Sequence, residues 1–492
     1  MISAHLLPLQ IVIPLLSAPI CLILYRPVWV RWFALAISIV SLIISIELLQ
    51  QVLASGVVAY NMGDWAPPWG IEYRIDTVSA FLLFLVSMIG TVVLVYAGKS
   101  LDRELPGQKQ TLFYIAFLLC LAGLLGIIIT GDAFNLFVFL EISSLSSYLL
   151  ISFGNDRRAL TASFQYLIMG TIGATFILIG IGLMYMMTGT LNMQDLAQRL
   201  PAVIGTRTIH AAFAFLTVGV CLKLALFPLH LWLPNAYTYA PSAASAFLAA
   251  TATKVAIYIM LRFMFTIYGV AFSFFGPIPL QQTLLVLATL AIFSGSAAAI
   301  YQDNIKRMLA YSSIAQIGYM IMGISFATVT GVTAGILHMF NHALMKGGLF
   351  LALGAVFYKL GGVRIENFRG LGKTMPWTMA AIVTGGLGLI GVPLTVGFVS
   401  KWYLVLAALQ KGWWPVAVLI LLGSLLAVAY VWRLVEAAYF QEPETPGVRE
   451  APLSLLIPVW FLIAASLYFG VNSDFTVGVA TRAAQGLLGV MP

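Results

Sequence analysis

Apolar runs of about 20 residues recur along nearly the whole of this 492-residue chain. That is the length a helix needs to cross a bilayer. Lipid offers the backbone no hydrogen bonds, so a crossing segment must satisfy its own and becomes a helix. About fourteen such spans are expected: 6–25, 32–53, 77–97, 112–130, 134–153, 160–187, 210–228, 243–267, 282–301, 308–326, 330–358, 376–409, 413–437 and 453–471. With 61% hydrophobic and only 9% charged residues, a soluble globular fold is excluded. No basic residue precedes the first run and no small-residue cleavage site is evident before Arg26, so it reads as a retained helix rather than a signal peptide.

The net charge of +8 is explained by topology rather than by nucleic acid. With the N-terminus outside, fifteen Lys and Arg fall in cytoplasmic loops, among them Arg26, Lys99, Arg158, Arg307 and Lys373. The outer loops and tail hold five: Arg74, Arg199, Arg207, Lys411 and Arg482. The positive-inside rule selects this orientation and a multi-pass protein of a cell membrane. The loop from Asn61 to Asp76 reads as a turn or hairpin cap, and the tail after Asn472 as a short, weakly amphipathic interfacial helix.

The seventh span carries Pro228, and the twelfth carries Gly391, Pro393 and Gly397; each also carries a lysine, Lys223 or Lys401. Paired broken helices point to an ion path. The seventh span is fourth in the block of spans four to eight, and the twelfth is fourth in the block nine to thirteen. Five spans per block is odd, so the second block enters the membrane with opposite polarity. The expected fold is an all-α polytopic membrane protein of about 14 transmembrane helices with two inverted five-helix repeats, each with a broken helix. Its expected parts are 1–111, 112–267 (first repeat), 282–437 (second repeat) and 453–492.

A charge near the bilayer centre is costly, about 2.5–3.5 kcal/mol on insertion scales, and marks a functional site by default. Glu141 in GDAFNLFVFLE and Lys223 in CLKLALFPLH are expected to pair; an ion pair that only sets helix register is the bland alternative. Lys254 in ATATKVAIY has no acidic partner in sequence, and desolvation of such a lysine favours release of its proton. Arg262, nearer the end of that span, is expected to snorkel. HMFNHALMK places His338, His342 and Lys346 at i, i+4 and i+8 on one helical face, which reads as a proton relay. Histidines without a nearby Cys or carboxylate make a metal site the weaker reading. Cys21, Cys120 and Cys221 stand alone in apolar runs, and no phosphate-binding loop or catalytic nucleophile motif appears. Neither cofactor nor metal is expected, and the chain reads as a transport subunit rather than an enzyme.

The stretches GDAFNLFVFLE, LKLALFPLHLWLPNAYTYAPS, KRMLAYSSIAQIGY, HMFNHALMKGGLF and GLIGVPLTVGFVSKWYL, in this order, resemble the antiporter-like subunits shared by respiratory complex I, membrane-bound hydrogenases and Mrp-type cation/proton antiporters. The likeness covers roughly residues 70 to 435. Within that superfamily the chain is most similar to the MrpD-like subunits of Mrp-type Na+/H+ antiporters, through GLGKTMPWTMAA and a lysine at 401 where some complex I relatives have glutamate. The resemblance implies a proton-translocating subunit working with other subunits of a hetero-oligomeric membrane complex, with Na+ or K+ as the exchanged cation. The alternative is a pumping subunit of a complex I-type NADH:quinone oxidoreductase or of a hydrogenase. It also implies roles: Glu141 and Lys223 as the paired fifth- and seventh-helix charges, and Lys254 as the connecting lysine. His338, His342 and Lys346 match the central relay, and Lys401 the exit lysine. Gln316 departs from the histidine that many complex I relatives carry there.

Overall fold

Helices form where the apolar runs lie, and several of them start at a polar cap. In the computed structural model, residues 5–24, 26–443 and 447–490 are described. The order begins α1 (Leu6–Leu24), α2 (Pro27–Ser55), a hairpin of β1 (Val58–Asn61) and β2 (Glu72–Ile75), then α3 (Thr77–Glu104). The hairpin is antiparallel, with Val58 opposite Ile75 and Asn61 opposite Glu72, as the loop chemistry suggested. There follow α4 (Gly107–Ile129), α5 (Ala133–Ser152), α6 (Arg158–Thr188), a short α7 (Met193–Arg199), α8 (Arg207–Leu224), α9 (Trp232–Tyr239) and α10 (Ser242–Leu261). A π-helical turn, Arg262–Ile267, extends α10.

After a short α11 (Gly269–Phe275) come α12 (Leu280–Ile300), α13 (Ile305–Ser325) and α14 (Val329–Leu360). The chain ends with a single-turn α15 (Leu371–Thr374), α16 (Pro376–Ile390), α17 (Val396–Gln410), α18 (Trp414–Phe440), α19 (Leu453–Val471) and α20 (Asp474–Leu488). Asp76 accepts from the Ser79 amide at the start of α3, Asp132 from Asn135 at α5 and Asn304 from Arg307 at α13, each satisfying an amide the helix leaves open.

Among the described residues, thirteen helices are long and apolar enough to span a membrane. The twelfth expected span is instead two shorter apolar helices, α16 and α17, separated at 391–395. There Gly391 has φ 90° and Leu394 φ 72°, values that end a right-handed helix. The seventh span is interrupted likewise: Ala225, at φ 60°, ends α8, and Pro228 lies in the non-helical stretch before α9.

Burial sorts the helices into layers. The most apolar windows of α10 and α13 are 94% buried, against 39% for α1, α2, α6 and α12. The less buried helices therefore enclose a buried centre to which α3, α4, α10, α13 and α14 contribute. Small residues bring helices close there and at the flanks: a Cβ at Gly219 of α8 would stand 2.6 Å from the Gly173 carbonyl of α6.

The tail is more regular than its sequence suggests. On α20, Thr476, Val479, Ala480, Ala483, Ala484 and Leu487 are buried, a 3–4 spacing that seats one face on α3 and α14.

Candidate functional site

α5 and α8 present Glu141 and Lys223 to one another. The Lys223 ammonium is 3.9 Å from a Glu141 carboxylate oxygen and donates to Ser144 Oγ at 2.8 Å. At that separation the pair is held by charge, with the serine supplying the hydrogen bond. The break begins just beyond Lys223, at Ala225, and the carbonyl of Leu222 is satisfied by the Trp232 indole at 3.0 Å. Beside Lys223, toward α10, lies a cavity of about 20 Å³ lined by Ser143, Ser144, Ser147 and Tyr166 as well as by Ala252 and Val255. That is room for about one water, placed between Lys223 and the helix that carries Lys254.

Lys254 has no solvent exposure. Its ammonium donates to the Ala249 carbonyl and, at 3.4 Å, to Thr253 Oγ1, and among the described residues no carboxylate pairs with it. It lies within electrostatic reach of His338, His342 and Lys346 on α14. The i, i+4 spacing brings the two imidazoles nearly parallel, 6.2 Å between centroids. Lys346, also fully buried, donates to the Leu309 carbonyl at 2.6 Å and to Ser312 of α13. Neither ring nitrogen of His342 meets a hydrogen-bond partner among the described residues.

His338 is bonded on both sides: Nδ1 to Ser400 Oγ at 2.8 Å and Nε2 to Gln316 Oε1 at 2.9 Å. A carboxamide oxygen only accepts, so Nε2 carries the proton and Nδ1 accepts from the serine. Next to Ser400 on α17, Lys401 donates to the Leu389 and Ile390 carbonyls at 2.9 Å each and to Ser424 Oγ at 3.0 Å, with its charge 4.7 Å from the Tyr319 ring. Those carbonyls end α16 at the break, where the helix dipole favours a cation.

The structure thus pairs Glu141 with Lys223, buries Lys223, Lys254, His338, His342, Lys346 and Lys401, and joins His338 through Ser400 to the turn of α17 that carries Lys401. It also places Pro228 and Pro393 in the breaks beside the two end lysines. Sequence reasoning missed Ser144, Ser312, Ser400 and Ser424, which hold four of these groups, since a serine in an apolar run carries no signal of its own. Gln316, noted only as a departure, is a direct partner of His338. Arg262 is a correction: it does not snorkel. Its guanidinium grips Asp76 with two bonds of 2.7 and 2.6 Å and donates to Ser79 and Tyr258. An acceptor 186 residues away in sequence is invisible to a local reading. Burial alone would raise Asp76, but the Arg262 charge and the bonds from Arg262 and Ser79 hold it below the usual carboxylate range.

A family model described as "NADH:quinone oxidoreductase/Mrp antiporter, TM" matches residues 130–427. The N subunit of the NADH-quinone oxidoreductase of Desulforudis audaxviator (strain MP104C) is 43% identical, over 96% of this chain and 97% of its own. The D subunit of the Na+/H+ antiporter of Bacillus subtilis (strain 168) is 30% identical, over 98% and 96%. A chain in the structure of the Mrp complex from Dietzia sp. DQ12-45-1b superposes with a TM-score of 0.90 at 25% identity, covering 99% of this chain and 98% of that one.

Proposed function

We propose, from the premise that this chain belongs to the NADH:quinone oxidoreductase/Mrp antiporter family, that it carries protons for a multisubunit Na+/H+ antiporter. It is a multi-pass membrane protein and an antiporter-like subunit of the Mrp and complex I type. The single observation that supports proton transfer is the set of buried titratable groups, Lys223, Lys254, His338, His342, Lys346 and Lys401, four of them held by serine hydroxyls or a carboxamide, with the two end lysines at broken helices. In this reading protons enter from the cytoplasmic side near Lys223 and Lys254, cross by Lys346, His342 and His338, and leave outward at Lys401. The repeats, 112–267 and 282–437, each supply one half-channel, and the N-terminus lies outside.

Charge on one group biases the next. Two like charges about 7 Å apart interact by about 2 kcal/mol at an effective dielectric near 20, more than one pKa unit. Drawing Glu141 away from Lys223 removes the attraction that holds the ammonium charged, and its proton moves on.

The test is proton uptake by vesicles bearing the assembled complex, read with a pH-sensitive dye. Lys223→Ala and Lys401→Ala are expected to abolish uptake while the subunits still co-purify; wild-type rates in either variant overturn the reading. A second reading, a pumping subunit of a redox-driven assembly, is favoured by the 43% identity to a protein named as part of an NADH-quinone oxidoreductase. Flavin or iron–sulfur proteins co-purifying with the chain decide for it.

A further inference from the structure

A groove of about 530 Å³ opens on the flank of the molecule between α6, α9 and α13, and none of the seven titratable residues lines it. Its walls are apolar and exposed: Phe164 is 61% and Leu231 70% accessible, and Phe164 stands on α6, a helix long and apolar enough to span a membrane. Its rim is polar and cationic. Arg307, the third residue of α13, lines it, half-buried with Nε lacking a hydrogen-bond partner. Among the described residues no carboxylate pairs with Arg307; its guanidinium rests 5.9 Å from the Tyr311 ring. Beside it the Asn235 amide donates to Gln165 Oε1 at 2.9 Å, leaving the Gln165 NH2 as a further donor.

We propose that this groove is a binding site for an anionic phospholipid, with the phosphate on Arg307 and Gln165 and an acyl chain along Phe164, Ile168 and Leu231. Three observations select this occupant. The guanidinium, with its Nε buried and unpartnered and no carboxylate beside it among the described residues, is free to take an anion, and Arg is suited to bidentate contact with phosphate. The apolar walls continue from the cation along the helix axis: Phe164 stands six residues from the start of α6, about 9 Å at the helical rise, while Arg307 is within the first turn of α13. A cation at headgroup level above an apolar slot matches a lipid and gives a free phosphate nothing to lie on. Finally, the charge-rich loops lie on this face, where anionic lipid is drawn to basic segments.

The occupant would also touch working parts. Trp232, a wall of the groove, is the indole that satisfies the Leu222 carbonyl at the break. It stacks on Tyr166 at 3.9 Å, which lines the Lys223 cavity.

This inference stands apart from proton transport and is tested by binding alone. The purified wild-type complex, in nanodiscs, is photolabelled with a diazirine-bearing phosphatidylglycerol, and the labelled peptides are read by mass spectrometry. Label is expected on 164–169 and 231–235, displaced by unlabelled phosphatidylglycerol but not by phosphatidylcholine. Arg307→Gln is expected to weaken it about tenfold, the scale of a lost charge-assisted bond, and Arg307→Lys, which keeps the charge but loses the bidentate fork, to weaken it less, whereas the distant Lys373→Gln leaves it unchanged. Label displaced equally by phosphatidylcholine, label absent from both peptides, or a neighbouring protein of the complex cross-linking to them in its place overturns the proposal.

Discussion

His338 meets an acceptor on one side and a donor on the other, and this pins both its tautomer and its ring plane. Replacing Gln316 by Leu leaves Nε2–H buried and unpaired, a loss of about 1–3 kcal/mol. Gln316→Leu is therefore expected to slow proton uptake in the dye assay more than tenfold, and Gln316→His, which keeps an acceptor, to retain most of it; equal loss in both separates Gln316 from the transfer step. A different residue pair carries stability. Asp76→Asn leaves Arg262 buried without its countercharge and is expected to lower stability by about 2 kcal/mol, read as an earlier thermal melt in detergent. Since the folded protein holds Asp76 below the ordinary carboxylate range, the stabilisation is present above a pH of about 4 and is lost as pH falls through the lower folded value. The acid limb of the melting profile should thus flatten in Asp76→Asn.

At the scale of elements, the two breaks solve one problem in two ways. At the first the lysine precedes the break and an indole satisfies the freed carbonyl; at the second the lysine follows the break and its own ammonium does so. Lys401 therefore has a structural task as well as a charge. Gly391 is the hinge of this arrangement, at φ 90°, where an added Cβ would come 2.9 Å from Lys401 Cδ. Gly391→Ala is expected to lower stability by about 1–2 kcal/mol through its left-handed backbone and to reduce proton uptake by displacing the ammonium. Normal melting and normal uptake together would show that the break tolerates a side chain. The proline and glycine residues made the breaks legible in sequence. Which carbonyls they free, and what then satisfies them, depends on neighbours up to 12 residues away and on another helix.

For the whole molecule, the basic-loop asymmetry yields an orientation that labelling can check. Cys21, Cys120 and Cys221 are buried, so an introduced cysteine reports with little background. An impermeant thiol reagent on intact cells is expected to modify Ser473→Cys and to modify Glu366→Cys only after permeabilisation; the reverse pattern inverts the topology. The sequence by itself determined the helices, the two interruptions and the residues kept at depth, because the bilayer penalises charge and unsatisfied backbone so heavily that each exception stands out. The i, i+4, i+8 spacing on α14 was equally local. Only the tertiary structure decided that Lys223 meets Glu141, that Gln316 and four serines hold four of the selected groups, and that Arg262 belongs to Asp76. Those contacts join residues 22 to 186 positions apart, and the packing of α10, α13, α14 and α17 that makes them leaves no periodic trace in the chain.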